Sequence, residues 1–148
     1  SLEYYFGADI VPDMIEYNQK KYGSARRMFV CLDVVGGALP CVDLVMCRDI
    51  FVHFTFNDIF LALENIKKSG SKYLLTTHFI DRDINTNVSK TGDWRTLNFI
   101  KAPFFFHEPI AVIQEQCSQG NGEYRDKTLA LWRLEDIFID KFYMKENI

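Results

Sequence analysis

Residues 42–54 read VDLVMCRDIFVHF, and the fold is decided there. Val42 and the run Leu44-Val45-Met46-Cys47 show no strict alternation of polar and apolar positions. That pattern predicts a strand covered on both faces, as in a parallel sheet. Arg48 and Asp49 follow the strand with no spacer. Open α/β sheets bind ligands at the carboxyl ends of their parallel strands, so a charged pair at this point marks a candidate site. His53 stands just before the next helix. Imidazoles titrate near neutrality, which makes His53 a candidate general base beside Asp49. The other reading of His53 is structural, with the ring bonded to a backbone carbonyl.

Outward from this segment the elements alternate. A helix is expected from Thr55, which forms a capping-box pattern with Asp58, and its buried face is Phe56, Ile59, Leu63 and Ile66. Ser69-Gly70 closes it, and residues 72–77 (KYLLTT) form the following strand. Upstream, residues 2–10 (LEYYFGADI) read as a buried strand ending at Asp9. Pro12 then suits a first helical turn, Val11, Ile15 and Tyr22 share a stripe with Met14 beside it, and Gly23 can end the helix. Residues 28–32 form a strand ending at Asp33. The order strand, helix, strand, strand, helix, strand predicts an α/β fold with a mostly parallel sheet. Residues 79–109 have weak periodicity and many polar and aromatic side chains. A connection this long is usually functional or disordered. Residues 110–115 and 128–133 read as two more strands around the turn-rich Gln119-Gly120-Asn121-Gly122, an antiparallel hairpin at a sheet edge. Residues 135–143 are expected to form a short last helix.

Composition narrows the function classes. The length of 148 residues fits one domain, and 48% hydrophobic residues suffice for a real core. A net charge of -3 with no lysine or arginine run argues against nucleic acid as a partner. No segment approaches the ~18 apolar residues that span a bilayer, so no membrane partner is expected. Cys31 and Cys47 sit in apolar runs and, with Cys41 and Cys117, are read as reduced thiols of a cytoplasmic protein. His53, His78 and His107 lack metal-ligand spacing, so no metal is expected.

Two acids at strand ends have the chemistry of cofactor ligands. An acid in the place of Asp9 hydrogen-bonds ribose hydroxyls in dinucleotide-type folds. Ile10 and Val11 beside it would flank an adenine face or simply be core. Asp33 can accept a hydrogen bond from an adenine amino group. Local alternatives exist for both: a helix cap for Asp9 and a turn carboxylate for Asp33.

Three polar strand ends in this order are similar to the latter three quarters of a class I S-adenosylmethionine (SAM) dependent methyltransferase. The resemblance implies a Rossmann-like sheet, mostly parallel, with the C-terminal antiparallel hairpin. It implies that Asp9 binds the ribose of SAM with Ile10 beside it. Asp33, with Val34, lies by the adenine, and Cys47 and Arg48 approach the methionine end. Asp49 then faces the acceptor, with His53 as the candidate base. Trp94 and Arg95, and the run Phe104-Phe105-Phe106-His107, would line a substrate pocket or lid over residues 79–109; the alternative is an ordered loop packed on the sheet. Asn65 to Thr77, Gly92-Asp93-Trp94-Arg95-Thr96-Leu97-Asn98 and residues 126–132 (DKTLALW) look like a poorly characterised group of methyltransferase-like proteins. The sequence departs from the family's pattern in one respect: no Gly-x-Gly-x-Gly loop precedes Asp9, and Gly36-Gly37 follows the wrong strand. The family's first strand, with that loop, lies between the second and fourth, so a chain extending upstream by roughly fifty residues is expected. The expected function is methyl transfer from SAM to a small or medium polar acceptor. The rivals are a non-catalytic methyltransferase-like binding module and a nicotinamide-dependent oxidoreductase.

Overall fold

The computed structural model describes residues 2–139. Strand β1 (Tyr5–Asp9) leads through helix α1 (Pro12–Tyr22) to β2 (Arg27–Cys31), which lies parallel to β1 with Asp9 opposite Cys31. Gly23 ends α1 as a close approach, since a Cβ there would sit 2.3 Å from the Gln19 carbonyl oxygen. β3 (Leu44–Cys47), α2 (Phe56–Lys68) and β4 (Tyr73–Phe79) form the second parallel unit. β6 (Lys127–Arg133) then adds antiparallel to β4, and β5 (Ala111–Gln114) antiparallel to β6 at the edge. The expected hairpin is therefore present, with its second strand inside.

The described residues hold two sheets, β1-β2 and β3-β4-β6-β5, with no hydrogen-bonded ladder joining β1 to β3. This limits burial on the first unit. The strand expected to be buried leaves Tyr5 45% exposed, and α1 buries only Ile15 while Met14 and Tyr22 stay exposed. Cys31, read from its apolar neighbours as a core residue, is also exposed. A two-stranded sheet offers too little surface to cover these side chains.

The core lies on the second unit. Thr55 caps α2, its hydroxyl accepting from the Asp58 N–H at 3.2 Å. The second half of the expected capping box is replaced, because the Asp58 carboxylate accepts from the Thr91 hydroxyl instead. Ile59, Leu63 and Ile66 are fully buried as their spacing predicts, with Phe60 and Ala62 beside them, whereas Phe56 is only partly buried. Against them pack Leu97, Phe99, Phe104 and Phe106 from the long connection after β4, and Trp132 from β6. Phe105 turns outward between buried Phe104 and Phe106, at 67% exposure, and His107 after them is exposed as well. After β6 a single 3-10 turn, Leu134–Asp136, stands where the longer helix was expected. Its backbone leaves helical geometry at Ile137, and positions 140–143 of that expected helix lie outside the described residues.

His78 on β4 is wholly buried. Its Nδ1 accepts the Phe99 N–H at 3.2 Å, so the neutral ring carries its proton on Nε2, which has no hydrogen-bond partner among the described residues. The ring meets Trp132 at a right angle, centroids 5.4 Å apart. Burial pushes the imidazole pKa down from 6.5 to about 4, against a small opposing pull from Asp126. Well above pH 6.5 neither folded nor unfolded chain is protonated here, and the stability is complete. As pH falls toward 4 the unfolded chain takes up a proton that the folded chain refuses, so stability declines through that window. The expected cost by pH 4.5 is about 3 kcal/mol. Urea unfolding at pH 7 and 4.5 checks it, and His78→Gln, which cannot titrate, should remove that share of the difference.

Candidate active site

The strand ends carry the site. In β1 and β2 the two acids lie at the same end, joined by the Leu32 N–H donating to the Asp9 carbonyl at 2.9 Å. Asp9 Oδ1 accepts from the Val11 N–H at 3.0 Å, and Asp33 Oδ1 from the Val35 N–H at 2.9 Å. These are the local turns that such acids form readily. Each leaves Oδ2 without a hydrogen-bond partner among the described residues, open to a ligand hydroxyl or amino group. Ile10 is 68% exposed next to Asp9, giving an apolar surface beside the acid. Val34 instead leans on the core, and its carbonyl accepts from the Asn65 amide at 2.9 Å.

At the end of β3 the side chains part company. Cys47 points into the core and is 2% exposed, and burial pushes its thiol up to about 12. Its side chain is thus withdrawn from any ligand, contrary to the expectation that it approaches a cofactor. Arg48 turns toward the hairpin, its Nε donating to Glu115 Oε1 at 2.7 Å. Asp49 adopts a left-handed backbone, φ 55°, which a non-glycine residue takes only when its surroundings hold it there. The holding contacts are present. The Asp49 N–H donates to Thr77 Oγ1 at 2.8 Å, that hydroxyl donates back to Asp49 Oδ1 at 3.2 Å, and Lys127 Nζ lies 2.7 and 2.8 Å from the two carboxylate oxygens. Burial raises the Asp49 carboxyl, but the Lys127 hydrogen bond and charge, the Thr77 hydroxyl and the Arg48 charge together outweigh it and hold the group below its ordinary range. Asp49 is therefore ionised at neutral pH, a fixed acceptor and a weak base.

Sheet register explains the convergence. Cys47 pairs with Thr76 in the parallel ladder, so Thr77 lies beside the exit of β3. β6 runs antiparallel to β4 and begins where β4 ends, which sets Lys127 opposite Phe79. Asp49, His53 and Lys127 border a cleft of about 360 Å³ whose wall is Phe79, Trp94 and Tyr124. Trp94 and Tyr124 meet edge-on at 5.1 Å between centroids, and Phe79 closes the triangle at 6.4 and 6.2 Å. Arg82 fixes this wall from outside. Its guanidinium donates to both Asp126 oxygens, at 2.9 and 2.8 Å, and to the Glu123 carbonyl at 2.7 Å, and it lies over the Phe79 and Tyr124 rings.

Arg95, expected in the substrate pocket, is 7% exposed and absent from the cleft lining. Its Nη1 donates to the Phe51 carbonyl at 2.6 Å, Nη2 to the Phe54 carbonyl at 2.5 Å and Nε to the Thr86 carbonyl at 3.3 Å. Burial pushes it down to about 10. Arg95 therefore serves as a brace for the 3-10 turn Phe51–His53, helped by the Gly92 N–H on the His53 carbonyl at 2.7 Å. Sequence reading placed Asp49, His53 and Trp94 at one cleft and missed Lys127, Thr77, Phe79 and Tyr124. The only local signal for Lys127 was its place as the last of three charges, Arg125-Asp126-Lys127, at the opening of an apolar strand. Among the described residues no group of three or more His, Cys, Asp or Glu side chains could hold a metal ion, and no helix is long and apolar enough to cross a membrane.

The fold is the Rossmann-like fold of class I SAM-dependent methyltransferases. The chain is similar to the N-methyltransferase NodS from Bradyrhizobium japonicum, with 15% identity and TM-score 0.54, over 86% of this chain and 71% of NodS. It is similar to a protein described as an S-adenosylmethionine dependent methyltransferase from Listeria monocytogenes, with 12% identity and TM-score 0.52, over 88% of this chain and 80% of that one. The third is the (4+2)-cyclase SpnF, with 12% identity and TM-score 0.56, over 86% of this chain and 65% of SpnF. The chain spans 35% of the length of magnesium protoporphyrin IX methyltransferase from Synechocystis, at TM-score 0.42 and 18% identity. No family model matches the sequence, and no curated protein matches it.

Proposed function

We propose that the protein transfers a methyl group from SAM to a small or medium polar acceptor. The observation that carries this reading is the Asp49–Thr77–Lys127 cluster. It is an ionised carboxylate locked in a strained backbone at the carboxyl end of a parallel strand, open to a cleft that His53 also lines. When bound, SAM supplies an electrophilic methyl group, and the protein's share is alignment and proton removal. The donor set suits it. The free oxygens of Asp9 and Asp33 can accept from ribose hydroxyls and an adenine amino group, and exposed Ile10 offers an apolar face. Arg48 follows the carboxyl end of β3 in the second sheet. Asp49 orients the acceptor, and His53 receives its proton.

Calorimetric titration of SAM into this chain and into the full-length gene product tests the reading. SAM should bind the full-length product, and Asp9→Ala should weaken it roughly tenfold or more, the worth of a charge-assisted hydrogen bond. A folded full-length product that takes up no SAM refutes methyl transfer and leaves a non-catalytic binding module. The fold does not by itself fix the reaction, since SpnF, named a cyclase, is similar in fold. A nicotinamide oxidoreductase leaves the antiparallel β5–β6 pair unexplained.

A further inference from the structure

We infer that the acceptor is a neutral planar aromatic hydroxyl compound that stacks on the Trp94–Tyr124 wall with its hydroxyl at Asp49 and His53. This rests on the methyl-transfer reading and names its substrate class. Three features of the cleft carry it.

The first is the wall. Trp94 is 45% exposed although Phe79 and Tyr124 grip it, and Phe79 behind it is 1% exposed. The indole therefore presents open surface on a rigid backing, with the Arg82 guanidinium pinning the neighbouring rings. Flat aromatic surface of this kind favours a flat ligand, by offset or edge-on contact. The second is size. A cleft of about 360 Å³ falls at the lower end of small-molecule sites, right for one or two fused rings.

The third is charge. Arg48 and Lys127 face Asp49 and Glu115, two positive charges against two negative, so the cluster is neutral as a whole. The sulfonium of SAM adds one positive charge. An alkylamine is a cation at neutral pH and would enter this cleft without a counterion, its lone pair blocked by a proton. A neutral hydroxyl meets neither obstacle. Within the Asp49–Lys127 pair the carboxylate is the more accessible member, with 37% of its side chain exposed against 13% for the lysine. It can accept the hydroxyl's hydrogen bond and orient the oxygen lone pair. The acceptor oxygen then forms its bond to the methyl carbon, the carbon–sulfur electron pair stays on sulfur, and the hydroxyl proton passes to the His53 imidazole.

Two probes with the same rings decide the matter: 2-naphthol and 2-naphthylmethylamine, titrated by calorimetry into the full-length gene product at pH 7. The expected result is saturable binding of 2-naphthol and at least tenfold weaker binding of the amine. Trp94→Ala should weaken 2-naphthol roughly tenfold, Trp94→Phe should restore most of it, and neither should alter SAM affinity. Amine binding as tight as naphthol binding overturns the inference. So does naphthol binding indifferent to Trp94→Ala, or binding of neither probe while SAM still binds. Loss of SAM binding in the parent protein would instead strike the methyl-transfer reading.

Discussion

Phe99→Ala is expected to destabilise the protein by about 3–5 kcal/mol, a large part of the 5–15 kcal/mol typical of a folded domain. Phe99 is fully buried. Its ring stacks on Phe106 at 5.1 Å, tilts against Phe104 at 4.9 Å, and meets Phe51 and Trp132 edge-on at 6.0 Å. Its N–H holds His78, and its carbonyl accepts from the Phe106 N–H at 2.9 Å. Removing the ring leaves a cavity bordered by Phe104, Phe106, β4, β6 and the 3-10 turn that carries His53, and rigid aromatics refill such a space poorly. The urea midpoint should fall with the slope of the transition unchanged, and Phe99→Leu should cost much less. A cost below about 1 kcal/mol would mean that the segment around Phe99 closes over the core only loosely, as a lid would.

That segment shows what a sequence can and cannot disclose. The exit of β3 was legible because charged residues follow its apolar run at once, although the cover expected on both faces is absent: β3 is an edge strand among the described residues, with Leu44 45% and Met46 52% exposed. The start of α2 was legible from Thr55, and the β5–β6 pair from Gln119 to Gly122. Residues 80–110 were not. Their buried side chains are fixed by side-chain bonds to the backbone, with no repeat to read. Asn85 and Asn98 exchange amide contacts, with the Asn85 amide on the Asn98 carbonyl and the Asn98 N–H on Asn85 Oδ1, both at 2.8 Å. Arg95 looked like a pocket residue because an arginine among polar neighbours reads the same whether it faces solvent or three carbonyls 41, 44 and 9 residues away. Lys127 was hidden by distance, 78 residues from Asp49 along the chain. The aromatic run at β1 misled in the opposite direction. Apolar composition registers what a strand prefers to bury, while actual burial depends on its neighbours, and β2 is the only strand laddered to β1 among the described residues.

His53→Ala is expected to lower methylation of 2-naphthol by about 10²–10⁴-fold, the range for loss of a positioned proton acceptor. Asp49 cannot stand in for it. Lys127, Thr77 and Arg48 hold that carboxylate ionised and reluctant to accept a proton, so it orients the hydroxyl and leaves its removal to the imidazole. The His53 side chain makes no hydrogen bond within the described residues, while its backbone is held at both ends, by the Ile50 carbonyl on its N–H at 3.0 Å and by the Gly92 N–H on its carbonyl. A ring free at its tip on a fixed backbone suits proton transfer, and it also means the substitution disturbs little else. Affinity for SAM and for 2-naphthol should therefore stay within about twofold of the parent, as should stability. Formation of 2-methoxynaphthalene, followed by chromatography under saturating substrate, separates the cases. A fall in turnover with binding intact places the proton on His53. Unchanged turnover makes His53 structural and sends the proton to water. A loss of naphthol affinity with little change in turnover makes the ring part of the aromatic wall, beside Trp94 and Tyr124.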